Sequence, residues 1–257
     1  MNERKLCNIS RRDLMLGAGK LAIGSAIAAS ALSVGFDVKD ADASKRSLKW
    51  GWGYKKLDPK EVGELAYNLW YKGYCCYAVV GSMVLPLRKK FGGPYKGLPI
   101  DAFRFGHGGV IGWGTICGTL LGAGIATSFI AGKTGEMMLN DIMAWYSDTK
   151  LPDYKPRHPK YKGPMPINTS DSPLCHISVG KWMKKANKGF KSPARRDRCA
   201  RLAASVAIYT VKILNQWVDD GYEYYMENEP QVAKYGITAQ NNCMECHAKG
   251  IPSIPGK

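Results

Sequence analysis

Apolar residues along most of this chain recur every three or four positions, which is the spacing of one face of an α-helix. Alternating apolar and polar positions, the pattern of a half-buried strand, are scarce. The first helix is predicted to begin after Asp58, which can cap it, with Pro59 at the first helical position and Glu61 three residues beyond the cap. It is expected to run through EVGELAYNLWYKGYCCYAVVGSMVLPLRKKFG, with its cysteines in the middle. The pattern predicts an all-α fold.

The same periodicity predicts further helices. A Gly-rich helix is expected in GGVIGWGTICGTLLGAGIATSFIAG, residues 108–132, and another in TGEMMLNDIMAWYSD. A Pro- and Lys-rich loop, 151–173, comes next, and a helix is expected to begin near His176. The cap signal Ser192-Pro193 predicts a long helix over ARRDRCARLAASVAIYTVKILNQWVDDGYEYYMEN. Together these elements predict a single helical domain.

The segment 108–132 carries no charged residue and is long enough to span a bilayer. Its glycines at 114, 118 and 122 would be a helix-pairing stripe in a membrane. In a soluble core, the same glycines would let the helix approach another backbone or a cofactor closely. Because Cys117 lies within the segment and a metal ligand is costly to place in lipid, we interpret it as a buried central helix without stable membrane insertion.

The N-terminal 43 residues are typical of a twin-arginine signal peptide. Paired Arg11 and Arg12 precede a weakly hydrophobic Gly/Ala-rich run, and Ala41-Asp42-Ala43 forms an A-x-A cleavage pattern. A membrane anchor is the alternative, disfavoured by the glycines and by Lys20 within the run. The sequence therefore predicts export of a folded protein to the periplasm, with residues 1–43 outside the fold.

The chain is strongly basic. Its formal net charge is +16, and residues 1–43 hold six Lys/Arg against five Asp/Glu, which leaves +15 on the remainder. Such a charge favours nucleic acid, an anionic membrane surface or an acidic protein as partner. Exported proteins seldom act on nucleic acid, so we expect a solvated basic surface on which an acidic redox partner can dock.

The chain holds eight cysteines, of which Cys7 belongs to the predicted leader. An odd number of remaining cysteines argues against a simple disulfide framework in an exported protein. Two of the seven form the motif described below, and Cys75 and Cys76 are adjacent. The five cysteines outside the motif therefore define four separate thiol positions: one at Cys75 or Cys76, and one each at Cys117, Cys175 and Cys199. Four thiolates suit an iron–sulfur cluster; a zinc site or two disulfides are the alternatives. Cofactor insertion before folded export favours the cluster.

Near the C-terminus, Cys243-Met244-Glu245-Cys246-His247 forms a C-x-x-C-H pentapeptide. Two thiols at this spacing add to the two vinyl groups of haem, and the adjacent histidine is placed to bind the iron. A C-x-x-C disulfide or half of a zinc site is the alternative, but no second C-x-x-C or C-x-x-H lies nearby. The sequence thus predicts a helical iron–sulfur domain over 44–236 and a haem c attachment segment over 237–257.

Four histidines are available as haem ligands. His247 is the proximal candidate, and His107 lies in the Gly-rich FGHGG turn, where a flat macrocycle can approach an imidazole. His176 directly follows Cys175, and His158 lies between prolines in a basic loop. Each would ordinarily be a surface or hydrogen-bonded histidine, but a chain so poor in histidine that carries a haem motif favours ligation. Methionine remains a competing sixth ligand.

The segments GYCCYAV, GHGGVIGWGTICGTLLGA, SPLCHISVGKW and RDRCARL, in this order, resemble the redox-active protein family named for its C…GC..G…C…C cysteine pattern. With the leader and the C-terminal motif, the chain is similar to c-type cytochromes of that family. The resemblance implies a periplasmic helical homodimer with haems at one end, bis-histidine ligation partly across the dimer, and a cluster, [2Fe-2S] by expectation. It implies that this cluster is held by Cys117, Cys175, Cys199 and one of the Cys75/Cys76 pair.

The resemblance also implies two haems per subunit, whereas this chain has one C-x-x-C-H. The segment Ser172 to His176 has the same spacing with serine in place of the first cysteine. A second haem held by Cys175 through one thioether would leave the cluster one ligand short unless Cys75 and Cys76 both bind. The sequence leaves this choice open.

Two functions are compatible with these features. An electron carrier would have saturated haem and cluster irons that bind no substrate. A haem-dependent reductase would keep one iron open for a small oxidised molecule or anion, drawn in by the positive field. We expect electron transfer rather than enzymatic turnover, because the chain has further histidines that can occupy the second axial position of the haem iron. No Ser/His/Asp set, phosphate loop or paired carboxylates support hydrolytic chemistry.

Overall fold

Five α-helices account for most of residues 50–223, the part of the chain that the computed structural model describes. In chain order they are α1 (Pro59–Lys90), α2 (Gly118–Ala131), α3 (Lys133–Asp148), α4 (Cys175–Ala186) and α5 (Pro193–Asp220). Two short 3-10 helices, Gly93–Gly97 and Ile100–Phe105, follow α1. Strand pairing within residues 50–223 is limited to two isolated bridges, Ile116 with Leu174 and Leu151 with Asn168. The predicted all-α fold is confirmed.

The predicted helix caps are present. The Asp58 carboxylate accepts hydrogen bonds from the backbone N–H groups of Lys60 and Glu61, at 2.7 and 3.3 Å. The Ser192 hydroxyl accepts one from the Arg195 N–H at 3.2 Å. Each bond satisfies an N–H group that has no partner inside the helix, which is why α1 and α5 begin where the sequence indicates.

Helix α1 is not continuous, contrary to the prediction. Tyr74 has φ 66° and ψ −159°, which breaks the helix in the middle. The Cys76 N–H bonds the carbonyl of Gly106 at 3.2 Å, and Arg104 donates to the carbonyl of Lys72 at 2.5 Å. Partners from the loop after α1 thus replace bonds that the break removes, and Cys75 becomes the first residue of a second helical segment.

The central helix is shorter than the predicted 108–132, because α2 begins only at Gly118. Residues before it form a loop in which four glycines have φ between 58° and 94°, at positions 108, 109, 112 and 114. Val110 and Ile111 also have positive φ, at 59° and 44°. Left-handed backbone cannot continue a right-handed helix, so local backbone geometry overrides the apolar pattern here.

The glycines that do lie on α2 act as the core interpretation predicted. A Cβ added at Gly118 would lie 1.9 Å from the carbonyl oxygen of Gly106, and one at Gly122 would lie 2.9 Å from the Cβ of Val79. Helix α2 can therefore approach α1 only because these side chains are missing. No helix among the described residues is long and apolar enough to cross a bilayer.

The core is formed mainly where α5 packs along α1, with α2 against α1 and α3 against α2. Its largest fully buried side chains include Tyr67, Trp70 and Trp182. Helix α4 contributes Cys175, Val179 and Trp182 to the interior. The predicted leader, residues 1–43, and the predicted haem segment, residues 237–257, lie outside the described residues.

Candidate metal centre

Four cysteines from four different elements approach one another inside the helical domain. The loop before α2 pairs antiparallel with the start of α4 through the Ile116–Leu174 bridge. In this pairing the Cys117 N–H donates to the Pro173 carbonyl at 2.8 Å, and the Cys175 N–H donates to the Thr115 carbonyl at 2.7 Å. Two cysteines that are far apart in sequence are thereby fixed side by side.

The other two thiols come from the long helices. A Cβ at Gly118 would lie 2.8 Å from the Cβ of Cys75, which shows how closely α1 and the start of α2 meet. Cys199 lies in the second turn of α5 and is buried. The four thiols that come together are those of Cys75, Cys117, Cys175 and Cys199, and all four are buried and unpaired by disulfides.

Three of the four thiols lie at the N-terminus of a helical segment. Cys75 follows the break in α1, Cys117 is the N-cap of α2, and Cys175 is the first residue of α4. The N-terminus of a helix carries a partial positive charge, which stabilises a nearby anion by about 0.3–1 kcal/mol, and by up to ~2 kcal/mol where the site is partly buried. Three such termini make the centre favourable for thiolates.

The electrostatic coupling of the thiols distinguishes Cys75 from Cys76. Burial raises the pKa of Cys75 well above its usual value, and Coulomb interactions with Cys199, Cys117 and Cys175 raise it further. Burial raises the pKa of Cys175 too, with added contributions from Cys117 and Cys199. The pKa of Cys76 is raised to about 12 by burial alone. Cys76 is therefore buried but stands apart from the other four.

Cys76 has a packing role instead. A Cβ at Gly106 would lie 2.4 Å from the Cβ of Cys76 and 3.0 Å from its sulfur. A Cβ at Gly122 would lie 3.2 Å from the Cα of Cys76. Its thiol thus fills space between the loop after α1 and helix α2.

Groups that can donate a hydrogen bond to a thiolate lie against two of the clustered sulfurs. The indole N–H of Trp70 donates to the Cys75 Sγ at 3.3 Å, and the Thr119 hydroxyl lies 3.2 Å from the Cys117 Sγ. Such bonds stabilise a sulfur that carries negative charge, and hydrogen bonds to ligand sulfurs are one of the factors that set the potential of a metal centre.

Arg198 brings a buried positive charge to the same place. Its side chain is 1% exposed, and it is the one lysine or arginine in residues 50–223 that is buried. Its Nη2 donates to the hydroxyl and carbonyl of Ser178 at 2.8 and 3.3 Å. Burial lowers the pKa of Arg198, but Cys199, Tyr146 and Cys117 outweigh this and raise it. The guanidinium therefore lies close to the thiols of Cys199 and Cys117.

Arg198 has no carboxylate counter-ion among the described residues. Its Nε and Nη1 have no hydrogen-bond partner there. The neighbouring Asp197 is buried but is bonded by Arg201 at 2.6 Å, by the Tyr71 hydroxyl at 2.7 Å and by the Tyr67 hydroxyl. An unpaired buried charge lowers the stability of a fold by several kcal/mol, so an anion beside Arg198 would be strongly favoured.

The features of this site match the needs of an anionic, thiolate-bound metal cluster. Four thiols, three helix N-termini, two sulfur-directed donors and an unpaired buried cation all favour negative charge at one point. Within residues 50–223, no group of three or more His, Cys, Asp or Glu side chains is already arranged to hold a metal ion. The four thiols are neighbours, and their chemistry fits such a group.

The histidines are placed at different points. His107 begins the left-handed loop, is half-buried and lies against the ring of Tyr74 with centroids 5.2 Å apart. His176 is exposed in the first turn of α4, and a Cβ at Gly114 would lie 3.2 Å from its Cβ. His158 is exposed in the long loop. His247, with Cys243 and Cys246, lies outside the described residues.

Sequence reasoning missed Arg198 and Trp70 as parts of the centre. Arg198 directly precedes a predicted ligand in RDRC, and Trp70 lies five residues before Cys75. Adjacent residues on a helix point about 100° apart, so sequence proximity alone did not reveal that Arg198 faces the thiols whereas Asp197 faces Tyr67 and Tyr71.

Comparisons with known proteins identify the family. Residues 74–213, which include the four clustered cysteines, match the redox-active protein family C_GCAxxG_C_C. The chain therefore belongs to this family of redox proteins, as its cysteine pattern predicted.

Two similar proteins give the class more detail. The chain is 37% identical over 260 residues to split-Soret cytochrome c of Desulfovibrio desulfuricans, covering 93% of this chain and 88% of that protein. It also matches a solved structure described as "A novel iron centre in the split-Soret cytochrome c from Desulfovibrio desulfuricans ATCC 27774". That match has a TM-score of 0.66 and 36% identity, and covers 76% of this chain and 81% of the other. The chain is thus a homologue of a c-type cytochrome.

Proposed function

We propose that this protein is a periplasmic electron carrier with two kinds of one-electron centre. One is an iron–sulfur centre held by the four clustered thiols. The other is a haem c attached through Cys243 and Cys246, with His247 as proximal ligand. The observation that carries the proposal is the unpaired, buried Arg198 among four converging thiols. The solved relative described with an iron centre and named as a cytochrome c supports both centres.

The chain's own residues account for the requirements of the iron centre. Cys75, Cys117 and Cys175 hold negative charge at helix N-termini, and Arg198 balances part of that charge. Trp70 and Thr119 orient two of the sulfurs. Burial of all four thiols excludes water, and full ligation by protein sulfur leaves no position for a substrate. Such a centre supplies one reversible electron and no bond-making chemistry.

We assign Cys175 to the iron centre rather than to a second haem. Its thiol is buried and coupled to Cys117 and Cys199, whereas the next residue, His176, is exposed. The serine that replaces the first cysteine of the motif-like segment, Ser172, is fully buried and accepts the Leu174 N–H at 3.1 Å. Cys175 cannot serve both cofactors, and its position favours the iron centre.

We infer that His107 is the sixth ligand of the haem, in a homodimer that places the haem of one subunit beside the loop of the other. The loop exposes a cluster of apolar side chains, with Ile111 at 60% and Trp113 at 79%, beside Phe105 and Tyr74. An apolar patch of this kind on a basic protein favours burial against a partner surface. An apolar, glycine-rich face also suits the approach of a haem.

The twin-arginine leader over residues 1–43 supports a periplasmic location, where haem c is attached. The formal charge of +15 beyond the leader supports an acidic redox protein as partner. The segment from His176 to Arg196 contains seven lysines and arginines and no acidic residue, and it connects the start of α4 with the start of α5. We propose this segment as the docking face, because α4 carries Cys175 and α5 carries Cys199, two of the four clustered cysteines.

The iron–sulfur proposal is tested by composition. Protein purified without oxygen should contain iron in excess of its haem, together with acid-labile sulfide, because four thiolates beside a cation favour an inorganic sulfide cluster. Iron assay, pyridine haemochrome and sulfide assay on one sample give the three quantities. Iron equal to haem with no sulfide would remove the iron centre from the proposal and leave the haem unaffected.

The haem ligand is tested with carbon monoxide. His107→Ala should give a reduced haem that binds carbon monoxide, while the wild type should not, because removing the imidazole opens one axial position of the iron. The mutant should also lose the doubled Soret band expected from haems stacked in a dimer. Optical spectra before and after the addition of the gas measure both effects.

The matched control is His176→Ala, a change at an exposed histidine close to the same loop. It should leave the spectrum as in the wild type; if it alone opens the iron, His176 is the ligand. Ready binding by the wild type would mean that a coordination position is already open, and the reductase alternative would then replace electron transfer.

A further inference from the structure

We propose that Trp70 and Tyr74 form an aromatic relay that carries electrons between the iron centre and the haem. The relay rests on the proposed function, since it joins one candidate ligand of each centre, Cys75 and His107. Its three contacts follow one another without a gap, and both ends are residues to which metal-binding roles were assigned on other grounds.

The first contact joins sulfur to indole. The Trp70 Nε1 lies 3.3 Å from the Cys75 Sγ and donates to it. Trp70 is almost fully buried, so its ring is held in one position by the core. A hydrogen bond to a ligand sulfur connects the indole directly with the orbitals that hold the transferred electron.

The second and third contacts join ring to ring. Trp70 meets Tyr74 edge-on, with centroids 5.5 Å apart and planes at 86°, and Tyr74 meets His107 with centroids 5.2 Å apart and planes at 45°. Centroid separations of 4.5–7 Å are those of aromatic pairs in contact. The path from sulfur to imidazole therefore consists of touching π systems, which conduct by tunnelling better than saturated side chains of the same length.

The backbone of Tyr74 gives independent support. At φ 66° and ψ −159° it occupies a strained region that is almost exclusively adopted by glycine. Glycine at position 74 would relieve the strain and still break the helix. Strained non-glycine residues concentrate where the side chain is used. The ring is 44% exposed, so burial in the core does not explain its presence.

With iron held by Cys75 and a haem iron held by His107, one electron would pass from the first to the second through the Cys75 sulfur, Trp70, Tyr74 and the His107 ring. The first iron would be oxidised by one electron and the second reduced by one. No bond forms or breaks, no proton moves, and neither aromatic ring is itself oxidised. Reversal of the relative potentials reverses the direction along the same path.

The test compares Tyr74→Leu with Tyr74→Phe in the full-length holoprotein. Both variants keep a side chain of similar length at the same strained position, but only phenylalanine keeps the ring. Fast partial reduction by pulse radiolysis, followed at wavelengths specific for each centre, gives the rate of internal equilibration. Tyr74→Phe should match the wild type, and Tyr74→Leu should be slower by about tenfold or more, the lower end of the effects seen when a residue supporting a metal ligand is lost.

Potentials of both centres are titrated in each protein, and rates are compared at equal driving force. A Tyr74→Leu rate equal to that of the wild type, with both centres present, would overturn the relay. Failure of the proposed function itself has a different signature, namely a wild type whose iron equals its haem and whose sulfide is absent.

A second readout requires no electron transfer. Addition of Co²⁺ to protein from which the non-haem iron has been removed should quench tryptophan fluorescence, because metal-bound Cys75 accepts the Trp70 N–H. The part of the quenching that Trp70 contributes should vanish in Trp70→Phe, while the cobalt–thiolate absorption remains. Identical quenching in both proteins would contradict the contact between Trp70 and metal-bound Cys75, and with it the relay.

Discussion

Replacing Cys75 with serine should abolish the non-haem iron of this protein, whereas the same replacement at Cys76 should leave it in place. The two residues are adjacent and both buried. The pKa of Cys75 is raised by burial and by Coulomb interactions with Cys199, Cys117 and Cys175, whereas that of Cys76 is raised by burial alone. Loss of one thiolate from a four-thiolate site removes a ligand that a neutral hydroxyl cannot replace. Iron, sulfide and haem content measured in parallel should show the iron in excess of haem falling to zero in Cys75→Ser alone.

The pair controls for unspecific damage. Cys76→Ser places a hydroxyl in a buried site, whereas a serine at position 75 could still accept the Trp70 N–H, so Cys76→Ser should lower stability more in the metal-free protein. Helical circular dichroism and an unchanged haem spectrum establish that each variant folds. Retention of the centre in Cys75→Ser, or its loss in Cys76→Ser alone, would assign the fourth ligand to Cys76.

Removing the buried charge of Arg198 should lower the reduction potential of the iron centre and raise the stability of the iron-free protein. With the iron centre present, Arg198→Leu should lower its reduction potential, because reduction adds negative charge that the guanidinium stabilises. A tenfold change in the redox equilibrium corresponds to 59 mV for a one-electron couple, and we expect a shift of at least about this size. Potentiometric titration of the iron centre measures it, with the haem potential as internal reference.

Without iron, the same substitution should stabilise the protein. The unpaired guanidinium is then a buried charge with two nitrogens that lack partners. Replacing buried ionic groups with apolar side chains stabilises proteins by about 1–4 kcal/mol, and we expect a gain in this range. For a chain of this size, 1 kcal/mol corresponds to a change in Tm of about 2–4 °C. Thermal unfolding of iron-depleted wild type and variant measures the difference.

Arg198→Lys keeps the charge and is the matched control. Its potential should stay closer to the wild type than that of Arg198→Leu, although the shorter hydrogen-bonding reach of an ammonium makes the match incomplete. Equal potentials in Arg198→Leu and the wild type would mean that the guanidinium does not act on the iron centre. Lower stability of iron-depleted Arg198→Leu would mean that the charge has another partner.

The sequence by itself determined the helices, their caps and the chemistry of the chain. The Asp58 and Ser192 caps act locally, through bonds to N–H groups two or three residues away, so their effect is visible without knowledge of the fold. The cysteine order, the C-x-x-C-H motif and the predicted leader are likewise read from neighbours in sequence. Family membership followed from the same residues and is confirmed by the comparisons.

Only the tertiary structure decided how these elements meet. Helical periodicity predicted helix at Tyr74 and before Gly118, but the backbone is left-handed in both places. Hydrogen bonds from segments distant in sequence stabilise the break at Tyr74, and the apolar pattern does not reveal them. The separation of Cys75 from Cys76 depends on which side of α1 faces α2, α4 and α5. The role of Arg198 depends on Asp197 being bonded elsewhere, which leaves the guanidinium to the thiols. Contacts between segments that lie far apart in sequence make these choices, and local patterns carry no information about them.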